Sequence, residues 1–424
     1  MPGVGAHHDV ALSPARVRRH TVGDVLAQGA LDIGFQPVVE LRSRDVVGYE
    51  ALTRGPSGTA LEDPHALFAA ARGAGRLDEL DWLCQKAALR AALDVGLRAP
   101  AVLFLNMEPD TSGFMPLELR SLYAQATAQM TVAVEVTERA LTERPAALLG
   151  HVADMRALGC TIALDDVGTE VDSVAMMALL APEVIKLDLG LIESAGERQI
   201  ADLISAVTAQ AERSDATVLV ERIETSRQAE LADALGARLA QGFLFGRRAR
   251  LVTPADPPGE PVVVAAPRRD PRDTTPFALV SEARPVRRAA RGLMVGFSRH
   301  LEEQARSAGH EAVLLGAFER DELFSPATRE RWSDIASRVA FCGALGEAMA
   351  PEPIAGVRGG LLHHADRLAR EWAVAVVSPH FAAVLTGYDL SEGDGEAPAY
   401  DFVLTYDREL AVASAASLMA RITA

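Results

Sequence analysis

Short apolar runs alternate with longer segments of helical periodicity between residues 33 and 247. The runs read IGFQPVVEL, VVGYEALT, AVLFLNM, TVAVEVTE, TIALDDV, EVIKLDL, TVLVERI and LAQGFLF. Helical periodicity is clearest from Leu77 to Leu93, from Pro145 to Leu158 and from Gln199 to Arg213. Near-continuous apolar strands that alternate with helices predict a parallel sheet covered by helices. About eight strands in roughly 220 residues favour a (β/α)8 barrel over an open sheet.

The rest of the chain divides around this predicted barrel, which we place at residues 20–253. Residues 254–275 are rich in proline and charge and predict a linker. Residues 276–424 contain a helical stretch from Val286 to Ala308 and the apolar runs EAVLLGAF, RVAFCGAL, WAVAVVSP and FVLTYDRELA. This order predicts a smaller α/β or α+β domain. Residues 1–19 have no apolar core of the kind a signal peptide needs and predict a flexible N-terminus.

Composition narrows the classes of partner. A formal net charge of −16 argues against polymeric nucleic acid and against an anionic membrane surface. A small phosphorylated ligand is compatible with this charge, because a local metal site can override it. Cys84, Cys160 and Cys342 are isolated, which suits a reducing compartment rather than a disulfide framework. No apolar run is long enough to span a bilayer, so we expect a cytoplasmic protein with no membrane partner.

Polar residues follow the apolar runs of most predicted strands. They are Glu50, Asn106, Glu135, Glu138, Asp165, Asp166, Lys186, Asp188, Glu221 and Glu224, while Gln241 begins the last run. The C-terminal ends of the strands of a (β/α)8 barrel converge on one face, where catalytic residues gather. One such acidic residue could simply face water at a strand end. Several anions packed together cost free energy unless bound cations compensate them, so the set predicts a cation site.

The residue types indicate which cations. Oxygen ligands without histidine or thiolate favour Mg²⁺ or Mn²⁺ over zinc. The adjacent Asp165 and Asp166 could place carboxylates on two metal ions, which suits in-line hydrolysis of a phosphodiester.

Lys186 needs a separate explanation, since it lies inside an apolar run and the chain's other lysine is Lys86. Next to two metal ions its pKa should fall, so that it orients or deprotonates the attacking water. A salt bridge to Asp165 or Asp188 without any chemistry is the alternative.

The chain resembles the EAL family of cyclic di-GMP phosphodiesterases over about residues 20–250. The segments that carry the resemblance, in the family's order, are FQPVVEL, YEALTR, FLNMEP, AVEVTE, IALDDVGT, VIKLDL, VERIET and QGFLFGR. The resemblance implies a TIM-like barrel of the EAL type that hydrolyses cyclic di-GMP to linear pGpG with Mg²⁺ or Mn²⁺. It also implies a homodimer through the region after the two aspartates.

The same resemblance implies a role for each matching residue. The residues assigned to metal binding are Glu50, Asn106, Glu135, Asp165, Asp166 and Glu221. The residues assigned to catalysis are Lys186, Glu221 and Glu50. Those assigned to substrate binding are Gln36, Arg54, Asp188, Glu224 and Gln241. Glu138 is assigned to anchoring the loop after the two aspartates.

Two segments depart from the family pattern. The family usually continues the aspartate pair as Phe-Gly-Thr/Ala-Gly-Tyr/Phe-Ser-Ser, whereas residues 167–173 read VGTEVDS. The family's Ala-Glu-Gly-Val-Glu appears as VERIE, so that Arg222 stands where the family has glycine. Ligand positioning depends on such supporting residues. An active phosphodiesterase and a catalytically degenerate receptor or regulatory module are therefore both open.

The second domain resembles the DICT sensory domain, through AVLLGAFERDELF, RVAFCGALG, WAVAVVSPHFAAVL and DFVLTYDREL. The resemblance implies a sensory role but does not identify the signal. His363, His364 and Cys342 have no metal-ligand spacing, which favours surface or core positions. Trp332, Phe318 and Phe324 could line a ligand pocket, but a packed core explains them better.

Overall fold

The computed structural model describes residues 20–108, 115–137, 143–168, 173–251, 253–254, 259–264, 268–318, 324–390 and 399–422. The predicted flexible segment 1–19 lies outside these ranges. Within them, no helix is long and apolar enough to cross a bilayer.

Eight strands of the first unit close into a barrel in the order β1 to β8, which confirms the predicted barrel. The strands are β1 Asp32–Glu40, β2 Val46–Arg54, β3 Val102–Asn106, β4 Thr131–Thr137, β5 Thr161–Val167, β6 Val184–Asp188, β7 Thr217–Glu221 and β8 Leu239–Gln241. The helices around them are α1 Val22–Gln28, α2 Pro64–Gly73, α3 Leu77–Asp94, α4 Leu117–Thr127, α5 Pro145–Ala157, α6 Ser173–Leu180, α7 Leu189–Ser194, α8 Glu197–Ser214 and α9 Ser226–Ala234. Each of the apolar runs predicted as strands supplies one of these barrel strands.

The prediction of a wholly parallel sheet is wrong at β1, which is antiparallel to both β2 and β8. The connection from Glu40 to Val46 is too short for the crossover that parallel neighbours need. From β2 to β8 each strand is parallel to the next. The C-terminal ends of these strands therefore share one face, and antiparallel pairing brings Gln36 of β1 opposite Glu50 of β2.

Two described residues of the segment that we predicted as a linker, Val262 and Val263, pack against the opposite end of the barrel. Val263 is 2% exposed and belongs to the cluster that fills the barrel interior, together with Val47, Val102 and Val184 at the starts of their strands. The Thr217 hydroxyl donates a hydrogen bond of 3.1 Å to the Val262 carbonyl. Val262 and Val263 thus lie over the N-terminal end of the barrel.

Replacing Val263 with aspartate should lower the free energy of unfolding by about 3 kcal/mol, because a carboxylate would be buried among apolar side chains. The neighbouring Val264 offers a matched control, since Val264 is 69% exposed. Val264→Asp should leave stability within about 0.5 kcal/mol of the parent chain. Urea titration followed by circular dichroism measures the unfolding free energy of both variants. Equal stability of the two would refute the packing role of Val263.

The second unit is built on a seven-stranded sheet in the order β12-β11-β10-β13-β14-β15-β9. Its strands are β9 Arg287–Ala290, β10 Val313–Ala317, β11 Phe341–Gly346, β12 Arg358–Leu361, β13 Glu371–Val377, β14 Ala382–Asp389 and β15 Ala399–Thr405. Its helices are α10 Pro276–Ala283, α11 Arg291–Ala308, α12 Pro326–Ala336 and α13 Arg408–Met419. The helix predicted from Val286 is therefore corrected, because its first residues form the edge strand β9, paired with β15.

The aromatic residues of the second unit form a packed core. Trp332, Phe318 and Phe324 are buried, with ring centroids 4.9–5.8 Å apart. Cys342 is buried in the same cluster, whereas His363 and His364 are exposed.

The two units share one hydrophobic cluster. Helix α6, which follows the loop after the two aspartates, packs against α13 and β13 of the second unit. Its Met176 and Leu180 side chains are fully buried. Arg213 of α8 donates a hydrogen bond of 2.5 Å to the Pro379 carbonyl. The region implied as a dimer surface is thus covered in part by the chain's own second unit, and the homodimer stays a prediction.

Glu371, at the start of β13, should make stability depend on pH. Burial raises its pKa to about 7, although the Thr275 hydroxyl and the Phe277 amide donate hydrogen bonds to it. In the unfolded chain the pKa of this glutamate returns to about 4.5. The folded state therefore binds the proton more tightly, and this stabilisation is present below pH 4.5 and lost as pH rises through 7.

The titration of Glu371 changes the unfolding free energy by about 2–4 kcal/mol between pH 4.5 and pH 7. Glu371→Gln keeps the shape of the protonated group and removes its titration. We expect the unfolding free energy of the parent chain to fall more steeply from pH 5 to pH 8 than that of the variant. Parallel pH profiles in urea titrations would contradict this assignment.

Candidate functional site

A cavity of about 950 Å³ opens at the C-terminal ends of the barrel strands. Its lining includes the sequence-predicted residues Gln36, Glu50, Arg54, Asn106, Glu135, Asp165, Asp166 and Glu221. Lys186, Asp188 and Gln241 are buried at the same ends of their strands. Glu224 is exposed outside the lining, and Glu138 lies outside the described residues.

Glu50 is held by two side-chain amides. Its Oε1 accepts a hydrogen bond of 3.0 Å from Asn106 Nδ2, and its Oε2 accepts one of 2.6 Å from Gln241 Nε2. Because β3 and β8 supply these two amides, the carboxylate is fixed between strands that are far apart in sequence. Both amides also keep a carbonyl oxygen for a further partner.

Lys186 is the centre of a buried ion-pair cluster. Its Nζ lies 2.5 Å from Glu135 Oε1, 2.5 Å from Glu221 Oε1 and 3.2 Å from Asp165 Oδ1. The lysine is 1% exposed, and Glu135 is 2% exposed. One cation thus faces three carboxylates, so the cluster carries surplus negative charge.

Burial and the neighbouring charges shift the proton affinities of the cluster. Burial raises the pKa of Glu135 well above its ordinary value, and Lys186 only partly opposes this shift. Burial also raises the pKa of Glu221, to about 8. Burial lowers the pKa of Lys186, but Asp165, Glu135 and Glu221 outweigh it, so that the pKa lies well above its ordinary value. The predicted fall in this pKa depends on bound cations and stays a prediction.

The donor set fits a hard divalent cation. Glu50, Glu135 and Glu221 each offer a carboxylate oxygen, and these three oxygens lie within 4.8 Å of one another. Glu135 Oε2 and Gln241 Oε1 are buried, and within the described part of the chain neither accepts a hydrogen bond. A buried oxygen without a donor is costly, whereas Mg²⁺ and Mn²⁺ bind such oxygens directly. The geometry therefore suits the ions that the sequence indicates.

The aspartate pair sits at an irregular end of β5. The register between β5 and β6 shifts between Leu164 and Val167, as in a bulge, which redirects side chains at a strand end. Asp166 has φ 56°, in the left-handed region, and its N–H donates a 2.9 Å hydrogen bond to Asp165 Oδ1. Burial raises the pKa of Asp166, and Asp165 adds to the rise. The rest of the departing loop, residues 169–172, lies outside the described residues.

Arg222 occupies a backbone position that favours glycine. Its φ is 59°, which costs a non-glycine residue about 1 kcal/mol. The guanidinium Nη1 lies 3.0 Å from Asp188 Oδ2. The other oxygen of Asp188 accepts a 2.7 Å hydrogen bond from the Gly190 amide at the start of α7. The sequence departure is thus accommodated by an ion pair to a residue that the resemblance assigned to substrate binding.

Sequence reasoning missed one wall of the cavity. Asp81 of α3 lines it and is 2% exposed; it accepts hydrogen bonds from Gln85 Nε2 at 2.6 Å and from the Glu108 amide at 3.2 Å. Asp81 therefore holds the turn that follows Asn106. Its position on the buried face of an amphipathic helix was the available signal, because such positions deplete aspartate.

Comparisons with known proteins identify the barrel. Residues 19–248, more than half of the chain, match the family model described as the EAL domain. The chain belongs to the EAL domain family. Residues 278–389 match the model described as the sensory domain in diguanylate cyclases and two-component systems, abbreviated DICT.

Curated relatives share the EAL barrel but not the whole chain. An uncharacterized protein of Azorhizobium caulinodans is 30% identical over 51% of this chain and 31% of its own length. The cyclic di-GMP phosphodiesterase RocR of Pseudomonas aeruginosa is 29% identical over 54% of this chain and 60% of its own. The match therefore spans less than two thirds of either relative.

Solved structures include one titled PaMucR phosphodiesterase, c-di-GMP complex. It is 26% identical over 54% of this chain and 95% of its own, with a TM-score of 0.46.

Proposed function

We propose that this EAL protein is a metal-dependent phosphodiesterase that hydrolyses cyclic di-GMP to linear pGpG. The observation that carries the proposal is the cluster around Lys186, where three carboxylates meet one buried cation. Among the described residues, the buried Glu135 Oε2 and Gln241 Oε1 accept no hydrogen bond. Such a cluster is costly as a purely structural feature, since its charges do not balance. The likeness to cyclic di-GMP phosphodiesterases supports the choice of substrate.

Each residue of the cluster has a place in this reaction. The residues that would hold two divalent cations are Glu50, Asn106, Glu135, Asp165, Asp166 and Glu221. Bound Mg²⁺ or Mn²⁺ supplies positive charge that favours attack on a phosphodiester. Lys186 Nζ orients the attacking water and handles its proton, because it lies within reach of three candidate ligands. Asn106 and Gln241 fix Glu50, and Arg54 on the cavity wall suits a phosphate oxygen.

A catalytically degenerate receptor is the second candidate. The ion pair between Arg222 and Asp188 favours it, because it engages a residue assigned to substrate binding. Incubation with cyclic di-GMP and Mn²⁺, followed by chromatography, separates the two functions. Formation of pGpG supports the enzyme, whereas tight binding of cyclic di-GMP without product supports the receptor.

We also propose that the C-terminal domain regulates the site, and two contacts between the units support this. Helix α6, which follows the aspartate loop, packs against α13 and β13. Arg358 of the edge strand β12 donates a hydrogen bond of 3.3 Å to the carbonyl of Glu143, a residue of the cavity wall. A movement of the sensory domain would therefore act on Glu143 of the cavity wall and on the helix that follows the two aspartates.

Arg358→Ala should lower kcat/KM for cyclic di-GMP about tenfold, because the cavity wall at Glu143 loses its tether and small misplacements reduce turnover strongly. Arg288→Ala is the matched control, since Arg288 lies on the other edge strand and pairs at 3.0 Å with Asp401. The control should keep the parent rate. Equal rates for all three proteins in a steady-state assay would refute this route of regulation.

A further inference from the structure

Arg222 is a charged side chain of the cavity that the proposed mechanism leaves without a role. It follows the candidate ligand Glu221 directly, lines the cavity and has a side chain that is 68% exposed. Its left-handed backbone, at φ 59°, makes a large side chain unfavourable there. An exposed arginine held at such a position suggests that its side chain has a partner in the cavity.

The ion pair to Asp188 determines what a ligand meets at this point. Asp188 is 3% exposed, and its Oδ1 accepts hydrogen bonds from the Gly190 and Leu191 amides at 2.7 and 3.4 Å. Its Oδ2 lies 3.0 Å from Arg222 Nη1. Both oxygens of the carboxylate are therefore engaged, and Arg222 rather than Asp188 lines the cavity.

Arg222 therefore presents a cation to the cavity, whereas the buried Asp188 does not line it. A carboxylate accepts hydrogen bonds and repels anions, whereas a guanidinium donates through several N–H groups and attracts them. Paired N–H groups match the oxygens of a phosphate. The ligand selected at this point is therefore an anionic oxygen rather than an N–H donor.

The charges around the cavity favour the same ligand. The lining carboxylates are Glu50, Asp81, Glu108, Glu135, Glu143, Asp165, Asp166 and Glu221, and the lining arginines are Arg54, Arg72, Arg222 and Arg248. Arg72 pairs at 3.0 Å with Glu108, and Arg248 pairs at 2.8 Å with Asp32. An anionic substrate that enters this acidic cavity needs further positive charge close to it.

We propose that Arg222 binds a phosphate oxygen of the substrate, with Asp188 as the anchor that holds the guanidinium at the cavity wall. The inference rests on the proposed function, because cyclic di-GMP supplies the phosphates. It makes Arg222 a substrate-binding residue that touches the ligand directly and Asp188 a positioning residue that acts through it.

Arg222→Gly tests the proposal, because glycine suits the backbone at this position. We expect KM for cyclic di-GMP to rise about tenfold and kcat to change less than about twofold, since the lost contact is a charge-assisted hydrogen bond made in binding. Arg222→Lys keeps the charge and should recover part of the loss in KM. The ratio of the two KM values, variant to parent, should shrink as NaCl rises, because salt screens a contact between charges.

Arg44 provides a matched control for the arginine-to-glycine change. It is exposed in the turn between β1 and β2, at the opposite end of the barrel, and has φ 64°. Arg44→Gly relieves similar backbone strain and should leave KM unchanged.

Three outcomes are distinguishable. A KM for Arg222→Gly equal to that of the parent would overturn the inference while the proposed function stands. A raised KM whose ratio to the parent is insensitive to NaCl would overturn the phosphate contact. A parent protein that neither turns over nor binds cyclic di-GMP would overturn the proposed function, and the inference would fall with it.

Discussion

Replacing Lys186 with methionine should lower kcat for cyclic di-GMP by about 10³-fold, the range expected when a group that handles a proton is removed. Methionine fills a similar apolar volume but cannot orient water or carry charge. The change also leaves Glu135, Glu221 and Asp165 without their cation, which should destabilise the metal-free protein by about 3 kcal/mol. Mn²⁺ should restore much of that stability, because a divalent cation replaces the lost charge.

Lys86 supplies the control for this experiment. It is the chain's other lysine, lies at the surface of α3 and pairs at 2.7 Å with Glu118. Lys86→Met should turn over at the parent rate. Steady-state kinetics with Mn²⁺ measure both variants, and a Lys186→Met enzyme with undiminished kcat would mean that Lys186 is only a salt-bridge partner.

Glu50→Ala should abolish turnover and weaken Mn²⁺ binding by at least about 10²-fold. Glu50 is the carboxylate that Asn106 and Gln241 hold in place, and it is one of the three whose oxygens converge within 4.8 Å. Its loss removes a charge from the cation site and leaves the amides of Asn106 and the buried Gln241 without this acceptor. Isothermal titration calorimetry with Mn²⁺ measures the affinity directly.

Two further variants separate charge from packing in the Glu50 experiment. Glu50→Gln keeps the side-chain size, so it should lose Mn²⁺ affinity with little loss of stability. Glu212→Ala changes an exposed glutamate of α8 and should bind Mn²⁺ like the parent. Mn²⁺ affinity in Glu50→Ala equal to that in Glu212→Ala would remove Glu50 from the metal site.

The barrel could be predicted from the sequence because its strands are nearly continuous apolar runs, which parallel strands buried on both faces require. The antiparallel β1 was also predictable, although we missed it. The connection from Glu40 to Val46 is too short for a crossover, and chain length alone decides this point. Strand β9 was harder to predict from the sequence, because Arg287 and Arg288 on an edge strand resemble the start of the helix that follows.

The grouping of the site residues could be anticipated because they end successive strands. Their pairings could not, since which carboxylate Lys186 meets depends on the twist and register of the closed barrel. Sequence reasoning identified Arg222 as a departure from glycine but could not show that Asp188 receives it. The burial of Val263 beneath the barrel was equally hard to predict from the sequence, because its partners come from strands spread over the whole domain.

One measurement tests the central claim most directly. The full chain is incubated with cyclic di-GMP in Mn²⁺, in Mg²⁺ and in EDTA, beside Glu50→Ala in Mn²⁺, and the products are resolved by chromatography. The account predicts pGpG with either metal, and background levels in EDTA and in the variant. Folded, Mn²⁺-supplied parent protein that leaves cyclic di-GMP intact would contradict it.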